Sequence, residues 1–144
     1  MSLLAALEAI AEDFNAMPKE LRIEALVDYS SRVPPLPERY AADPTLLEQV
    51  EECQTPFFLA AEIDGEGRVR LHFDCPPQAP TQRAFAGILA EGLEGASPAE
   101  VLAVPQDLPS RLGLGDAISM LRLQGFHAII ARLQRQVQLA EAAS

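Results

Sequence analysis

The sequence predicts an α+β fold in which helices cover a small antiparallel β-sheet. Helix-spaced apolar residues occur towards both ends of the chain, and one alternating pair of strands lies between them. The repeated strand-helix alternation of a doubly wound sheet is absent from the pattern. Because 144 residues are enough to bury a core without disulfide or metal support, we expect residues 1–144 to form one domain.

The first two predicted helices occupy residues 2–14 and 18–32, where apolar residues recur at the spacing of one helix face. Pro18 suits the first turn of the second helix, since its missing N–H is not needed there. Three further prolines lie between residues 33 and 43 and disfavour continued helix. We therefore expect a surface connection over that segment.

The middle of the chain predicts a hairpin preceded by a polar loop. A turn of helix is expected over residues 45–49 and an irregular loop over 51–56. Residues 57–63 and 68–74 read as strands, because the second alternates apolar and polar side chains. The intervening Asp-Gly-Glu-Gly sequence is a strong turn signal.

The C-terminal half is predicted to be helical in four segments. Thr81 is expected to cap the first of these, and Ser97, Pro98 and Glu100 form a capping-box pattern at the start of the second. The predicted segments are residues 81–93, residues 98–103, a brief piece within 105–115, and a long helix over 123–142.

The net charge, the apolar stretches and the number of cysteines limit the kinds of partner and the cellular location that we expect. The formal charge is −10, and no run of Lys or Arg interrupts it, which disfavours nucleic acid and anionic membranes. No apolar stretch approaches the roughly 18 to 20 residues that cross a bilayer, and the first residues lack the basic region of a signal peptide. Two cysteines are too few for a disulfide framework or a four-thiolate metal site. We therefore expect a cytoplasmic protein.

Cys53 is the candidate reactive residue. It lies in the polar loop just before a strand, where a sulfur atom can meet the active site of a partner. Sulfur exchange between thiols requires proximity and a good leaving group, and no metal or cofactor. Glu51 and Glu52 would disfavour the thiolate and keep the resting thiol protonated. From the residues alone, a buried cysteine without chemistry remains the alternative.

Two motifs carry a resemblance to a known family. The sequence ECQTPF spans residues 52–57, and RLQGFHAII spans residues 122–130. With the hairpin and the helix between them, their order and spacing resemble the SufE family over residues 10–140. Thr55 stands where members of that family commonly have Ser, which keeps the hydroxyl.

The resemblance implies a sulfur acceptor that works with partners. Such proteins take persulfide sulfur from a SufS-type, pyridoxal-phosphate-dependent cysteine desulfurase, stimulate it, and pass the sulfur to an iron–sulfur cluster scaffold complex. The family is a transfer partner rather than a stand-alone enzyme and uses no cofactor of its own. The matching positions are Cys53 as acceptor and Gln54, Thr55, Arg122 and Gly125 as partner-binding residues.

The implied fold is shared with IscU-type scaffold proteins. It includes a third strand, for which Leu46–Val50 is the available place. Cys75, at the far end of the hairpin, is a candidate second thiol that could shield or resolve a persulfide on Cys53, and the alternative is an incidental cysteine at a strand end. An IscU-like scaffold that binds metal or a cluster is the alternative function, although such scaffolds use three cysteines and we expect no metal site here.

Overall fold

The computed structural model describes residues 4–53, 55–115 and 117–143, and it confirms the predicted α+β class. Helices lie on both sides of a short run of strands along the chain. The helices are α1 (Ala5–Ala16), α2 (Lys19–Tyr29), α3 (Glu38–Ala42), α4 (Pro80–Gly92), α5 (Pro98–Leu102), α6 (Leu108–Arg111) and α7 (Met120–Ala143). The strands are β1 (Glu48–Gln49), β2 (Phe58–Ile63) and β3 (Val69–Asp74).

The sheet is antiparallel with the order β1-β2-β3, so the predicted hairpin is confirmed. Its register pairs Phe58 with Asp74 at one end and Ile63 with Val69 at the other. The Asp64 carboxylate accepts hydrogen bonds from two backbone N–H groups of the turn, at 2.9 and 3.0 Å. Gly67 adopts a φ of 78°, a conformation that glycine takes without steric cost. The turn chemistry therefore fixes the register.

The third strand is present but short. A 3-10 turn over Pro44–Leu46 replaces most of the predicted helical turn, and Glu48–Gln49 then pairs with the start of β2. The prediction for residues 45–49 was therefore half wrong. A two-residue strand carries no periodicity of its own, and only its partner β2 defines it.

One helix lies where a connection was expected. Residues 33–43 contain α3, which begins directly after Pro37. A proline is compatible with a helix start, so the cluster of prolines did not exclude a short helix after it. Tyr40 of α3 is buried with Leu47 and Ala60, which gives the outer face of the sheet a small apolar cover.

Helix boundaries differ from the predictions by a few residues. α2 ends at Tyr29, and a 3-10 turn continues to Arg32. Ala79, not Thr81, is the N-cap of α4, because Pro80 occupies the first helical position. α7 begins at Met120, so Arg122 belongs to the helix. None of the helices in the described ranges is both long enough and apolar enough to cross a membrane.

The core is built around α4, which is buried on most of its surface. The rings of Phe85 on α4 and Phe126 on α7 stack with centroids 4.1 Å apart and planes 1° from parallel. A Cβ on Gly87 would lie 2.1 Å from the carbonyl oxygen of Tyr29, so α2 and α4 approach too closely for any side chain there. β2 packs on α7, and the N–H of Ala61 donates to Gln136 Oε1 at 2.7 Å. α7 thus supports the sheet beside the loop that carries Cys53.

Candidate functional site

The loop that carries Cys53 is a short excursion at one end of the sheet. Val50 and Phe57 mark its two ends, and both are almost completely buried. The N–H of Val50 donates to the carbonyl of Phe57 at 2.8 Å, and the N–H of Cys53 donates to the carbonyl of Val50 at 3.2 Å. These bonds extend the sheet pairing to the base of the loop. Cys53 itself is partly buried.

Gly125 brings the Cys53 thiol against α7. A Cβ on Gly125 would lie 3.1 Å from the Cys53 Sγ and 3.6 Å from its Cα. Contacts this short are uncommon for a real Cβ, so any larger residue would push the loop outward. The structure thus brings Cys53 and Gly125 together, and the glycine is needed for close approach within a helix that would otherwise favour alanine.

The surroundings hold the thiol in its protonated form. Burial is the main cause that raises the pKa of Cys53 from 9.0 to about 11. The charges of Glu52 and Cys75 raise it further, while the charge of Arg132 lowers it. The predicted direction for Glu52 is therefore confirmed, but desolvation has the larger effect. At neutral pH the resting site is a thiol and a weak nucleophile.

Arg132 of α7 holds the loop and the edge strand in place. Its guanidinium donates to Glu48 Oε2 at 2.7 Å and to Glu52 Oε1 at 2.6 Å. Arg135 pairs with the same Glu48 carboxylate, and Gln136 donates to it at 2.8 Å. These contacts lower the pKa of both carboxyl groups, even though burial opposes the shift at Glu48.

The sequence reading missed this cluster. Arg132 follows Gly125 by seven positions, which puts both residues on one face of a helix. That spacing was the signal in the sequence from which the position of Arg132 beside the Cys53 loop could have been predicted. The acidic partners could not be assigned, because they lie 80 or more positions away in the chain.

Cys75 lies at the end of β3 and is buried, with 4% of its surface exposed. Arg83 Nη1 donates to the Cys75 carbonyl at 2.8 Å and lies 3.9 Å from the Cys75 Sγ. Burial raises the pKa of this thiol to about 11, and Arg83 opposes the rise. Both cysteines are free, and ionisation of Cys75 would raise the pKa of Cys53.

Arg122 projects from the first turn of α7, one turn before Gly125. Its side chain donates to Thr81 Oγ1 at 3.4 Å, a weak contact with the start of α4. In the part of the chain that the structure describes, no carboxylate lies within ion-pair distance of its guanidinium. The exposed Arg122 guanidinium is thus available to an external carboxylate.

Two predicted partner-binding residues neighbour Cys53 in the loop. Gln54 lies outside the described residues. Thr55 Oγ1 is buried, and it has no hydrogen-bond partner among the residues described. A buried hydroxyl without a partner is costly, so this group is the unsatisfied polar atom of the described part of the loop.

The described residues provide no constellation for a bound metal. Among them, no group of three His, Cys, Asp or Glu side chains is arranged to hold an ion. Tetrahedral sites commonly use four such ligands, and an IscU-like scaffold would require several of them around Cys53. The site therefore offers the chemistry of the Cys53 thiol beside the arginine side chains of α7.

Comparison with known proteins agrees with this geometry. An uncharacterized SufE-like protein of Mycobacterium tuberculosis is 41% identical over 140 residues, which cover 97% of this chain and 96% of that protein. The solution structure of a hypothetical protein from Thermus thermophilus shares 45% identity and a TM-score of 0.85, and the match covers 98% of this chain and 99% of that one.

A chloroplastic quinolinate synthase of Oryza sativa is 29% identical over 137 residues, which make up 19% of that enzyme. The chain also matches the family model for SufE, the Fe–S metabolism associated domain, over residues 8–137. With the predicted fold, this match shows that the chain belongs to the SufE family, whose domain is associated with iron–sulfur metabolism.

Proposed function

We propose that this protein accepts sulfane sulfur on Cys53 from a SufS-type, pyridoxal-phosphate-dependent cysteine desulfurase and passes it to an iron–sulfur cluster scaffold complex. The observation that carries the proposal is the Cys53 loop of a SufE-family chain, closed at its base by backbone bonds and resting on Gly125 of α7. Arg122 projects one turn away from that contact and has no acidic partner among the described residues.

The proposed transfer is a thiol-persulfide exchange. The Cys53 thiolate attacks the terminal sulfur of the donor persulfide, a new sulfur–sulfur bond forms on Cys53, and the donor cysteine leaves as its thiolate. Atoms and electrons balance without an oxidant. The protein itself supplies no cofactor chemistry, because the donor already holds sulfur in the reactive form.

The surroundings of Cys53 favour activation by the partner. A thiol with a pKa of about 11 is almost entirely protonated at neutral pH. Since burial is the main cause, moving the loop from α7 into a polar, basic active site would lower that pKa and produce the attacking thiolate. The free protein would then be protected from unwanted oxidation, which follows thiolate character and exposure.

Arg122 is the proposed anchor to the desulfurase. Its planar guanidinium suits a two-pronged bond to a carboxylate on the partner, and no internal acid among the described residues competes for it. Gln54 and Thr55 would contact the partner from the extended loop, and the unpaired Thr55 hydroxyl would gain a bond there. Gly125 would allow the loop to return after transfer. Engagement at these residues is the proposed basis of stimulation.

The proposed cellular location and the weaker support for an IscU-like scaffold both agree with a sulfur acceptor. We propose that the protein works in the cytoplasm as one domain, where thiols stay reduced. The IscU-like scaffold has less support, because the described residues hold no group of three His, Cys, Asp or Glu side chains arranged around a metal.

The test is a sulfur-loading reaction with a SufS-type desulfurase and labelled L-cysteine. We expect intact-mass measurement without reductant, on samples acid-quenched immediately after loading, to show one added sulfur atom, and peptide mapping to locate it on Cys53. Cys53→Ser should fold normally and gain no sulfur at that position. Loading at another residue in the wild-type protein, with Cys53 unmodified, would contradict the proposal.

The same reaction tests Arg122. Arg122→Ala should reduce desulfurase stimulation at a limiting protein concentration and leave chemical persulfidation of Cys53 unchanged. Arg111→Ala is the matched control, because Arg111 is an exposed arginine paired with Asp107 on α6. Equal stimulation by both variants would remove Arg122 from the partner surface.

A further inference from the structure

Cys75 is a buried nucleophile that the transfer described above does not use. It directly follows β3, next to the pair formed by Phe58 and Asp74, and is 4% exposed. Cys75 belongs to the main hydrophobic core, against which Cys53 packs. The position after the Phe58–Asp74 pair is Phe57 on one strand and Cys75 on the other, and the Phe57 carbonyl accepts the bond from Val50 that closes the Cys53 loop. The two cysteines therefore lie at the same end of the sheet.

Arg83 gives the Cys75 thiol a cationic companion. The guanidinium is fixed by two backbone carbonyls, that of Ser30 at 3.0 Å and that of Cys75 at 2.8 Å. Nη1 also lies 3.9 Å from the Cys75 Sγ, and no carboxylate among the described residues pairs with Arg83. A cation held in this way favours negative charge on the sulfur and opposes burial, which still raises the pKa of Cys75 to about 11. Cys75 is therefore not in the purely apolar surroundings typical of an inert core cysteine.

Resting on the proposed function, we infer that Cys75 resolves the persulfide of Cys53 and releases its sulfur as sulfide. The Cys75 sulfur attacks the Sγ of Cys53, the Cys53–Cys75 disulfide forms, and the bond from Cys53 to the terminal sulfur breaks. The terminal sulfur takes up the proton of Cys75 as it departs and is released as hydrosulfide. The two cysteines are oxidised by two electrons, and the sulfane sulfur is reduced by two.

The basicity of the two possible leaving groups decides which sulfur atom of the persulfide Cys75 attacks. Attack on the terminal sulfur would expel the Cys53 thiolate, whose pKa of about 11 makes it a poor leaving group. Attack on the Cys53 Sγ expels hydrosulfide, which is a weaker base and leaves more readily. The product is sulfide, the oxidation state that sulfur has in iron–sulfur clusters. A dithiol reductant then reopens the disulfide.

The test uses inorganic polysulfide as the sulfur donor, so it does not depend on any desulfurase. Full-length protein is loaded, desalted and incubated without reductant, and sulfide release and intact mass are followed together. We expect the wild type to release one sulfide for each Cys53 persulfide and to yield a Cys53–Cys75 linked peptide. In Cys75→Ser the Cys53 persulfide should survive at least about tenfold longer.

Further variants separate the possible causes. Cys75→Ala repeats the deletion without a hydroxyl, and circular dichroism checks that both variants fold. Arg83→Gln should slow release while the linked peptide still forms. Equal release from the wild type and both Cys75 variants, or release without a linked peptide, would overturn the inference. That result would leave the proposed acceptance of sulfur intact, whereas failure of desulfurase loading would overturn acceptance and not the chemistry of Cys75.

Discussion

Cys53 combines a reactive atom with surroundings that suppress its reactivity. Its sulfur rests on α7 at Gly125, and burial rather than the neighbouring acids is the main cause of its raised pKa. A thiol held in this way reacts slowly until its loop moves. The property therefore depends on the contact with α7 as much as on the cysteine.

Gly125→Ala tests that contact. The new Cβ would lie 3.1 Å from the Cys53 Sγ, so the thiol must give way by a few tenths of an ångström. We expect alkylation of Cys53 by iodoacetamide to become several-fold faster, because greater exposure favours the thiolate. Loss of overall stability should be small, since alanine favours a helix by about 1 kcal/mol over glycine.

Gly65→Ala is the matched control. Gly65 lies in the hairpin turn, and a Cβ there meets no atom within 4 Å. Cys53 in the Gly65→Ala variant should be alkylated at the wild-type rate. If Gly125→Ala matched Gly65→Ala, the close packing of Cys53 on α7 would not govern its reactivity.

At the scale of single residues, the sequence predicted Cys53 but not what surrounds it. The position of Cys53 in a polar loop before a strand was readable from neighbours along the chain. Arg83 and Arg132 were not, because their partners become close only when distant elements pack. Two arginines in helical patterns look alike in sequence, whether they face solvent or a thiol.

At the scale of elements, α7 links the site to the rest of the fold. It contributes Arg122 and Gly125 near its start, and two turns later Arg132 binds both β1 and the loop. The sequence predicted long, strongly periodic helices such as α7. It predicted a connection where α3 lies, and its prediction for the segment that contains β1 was only half right. Short elements depend on tertiary partners, so their own pattern carries little information.

Arg132→Gln tests the attachment of the loop to α7. Without the guanidinium, Glu52 loses its ion pair and Glu48 keeps only Arg135 and Gln136. We expect the free energy of unfolding to fall by about 1 to 2 kcal/mol. Release of the loop should accelerate Cys53 alkylation by more than the lost Arg132 charge, which raises the pKa of Cys53, slows it. Urea unfolding and iodoacetamide kinetics measure the two effects.

The control for that variant is Arg111→Gln, which removes an exposed i,i+4 pair with Asp107. Pairs of this kind contribute well under about 1 kcal/mol, so stability and alkylation should barely change. An Arg132→Gln protein with wild-type alkylation kinetics would show that the backbone bonds at Val50 and Cys53 suffice to hold the loop.

At the scale of the whole molecule, the buried thiol of Cys75 and the partly buried thiol of Cys53 make stability depend on pH. Burial raises the pKa of both Cys53 and Cys75 to about 11, so the folded state binds these protons more tightly than the unfolded chain. The contribution is complete below the unfolded value of about 9.0 and is lost as the pH rises through about 11. Alkaline pH should therefore destabilise the fold.

Urea unfolding under reducing conditions at pH 8 and pH 10.5 measures this dependence. The wild type should lose roughly 1 to 2 kcal/mol per thiol more than a Cys53→Ser/Cys75→Ser double variant over that interval. The pKa values of Tyr29 and Tyr40 are also raised, and the charge of −10 grows more negative with pH, but both effects act on the two proteins alike. The difference between the proteins therefore isolates the thiols, and identical pH profiles would mean that neither thiol is held protonated by the fold.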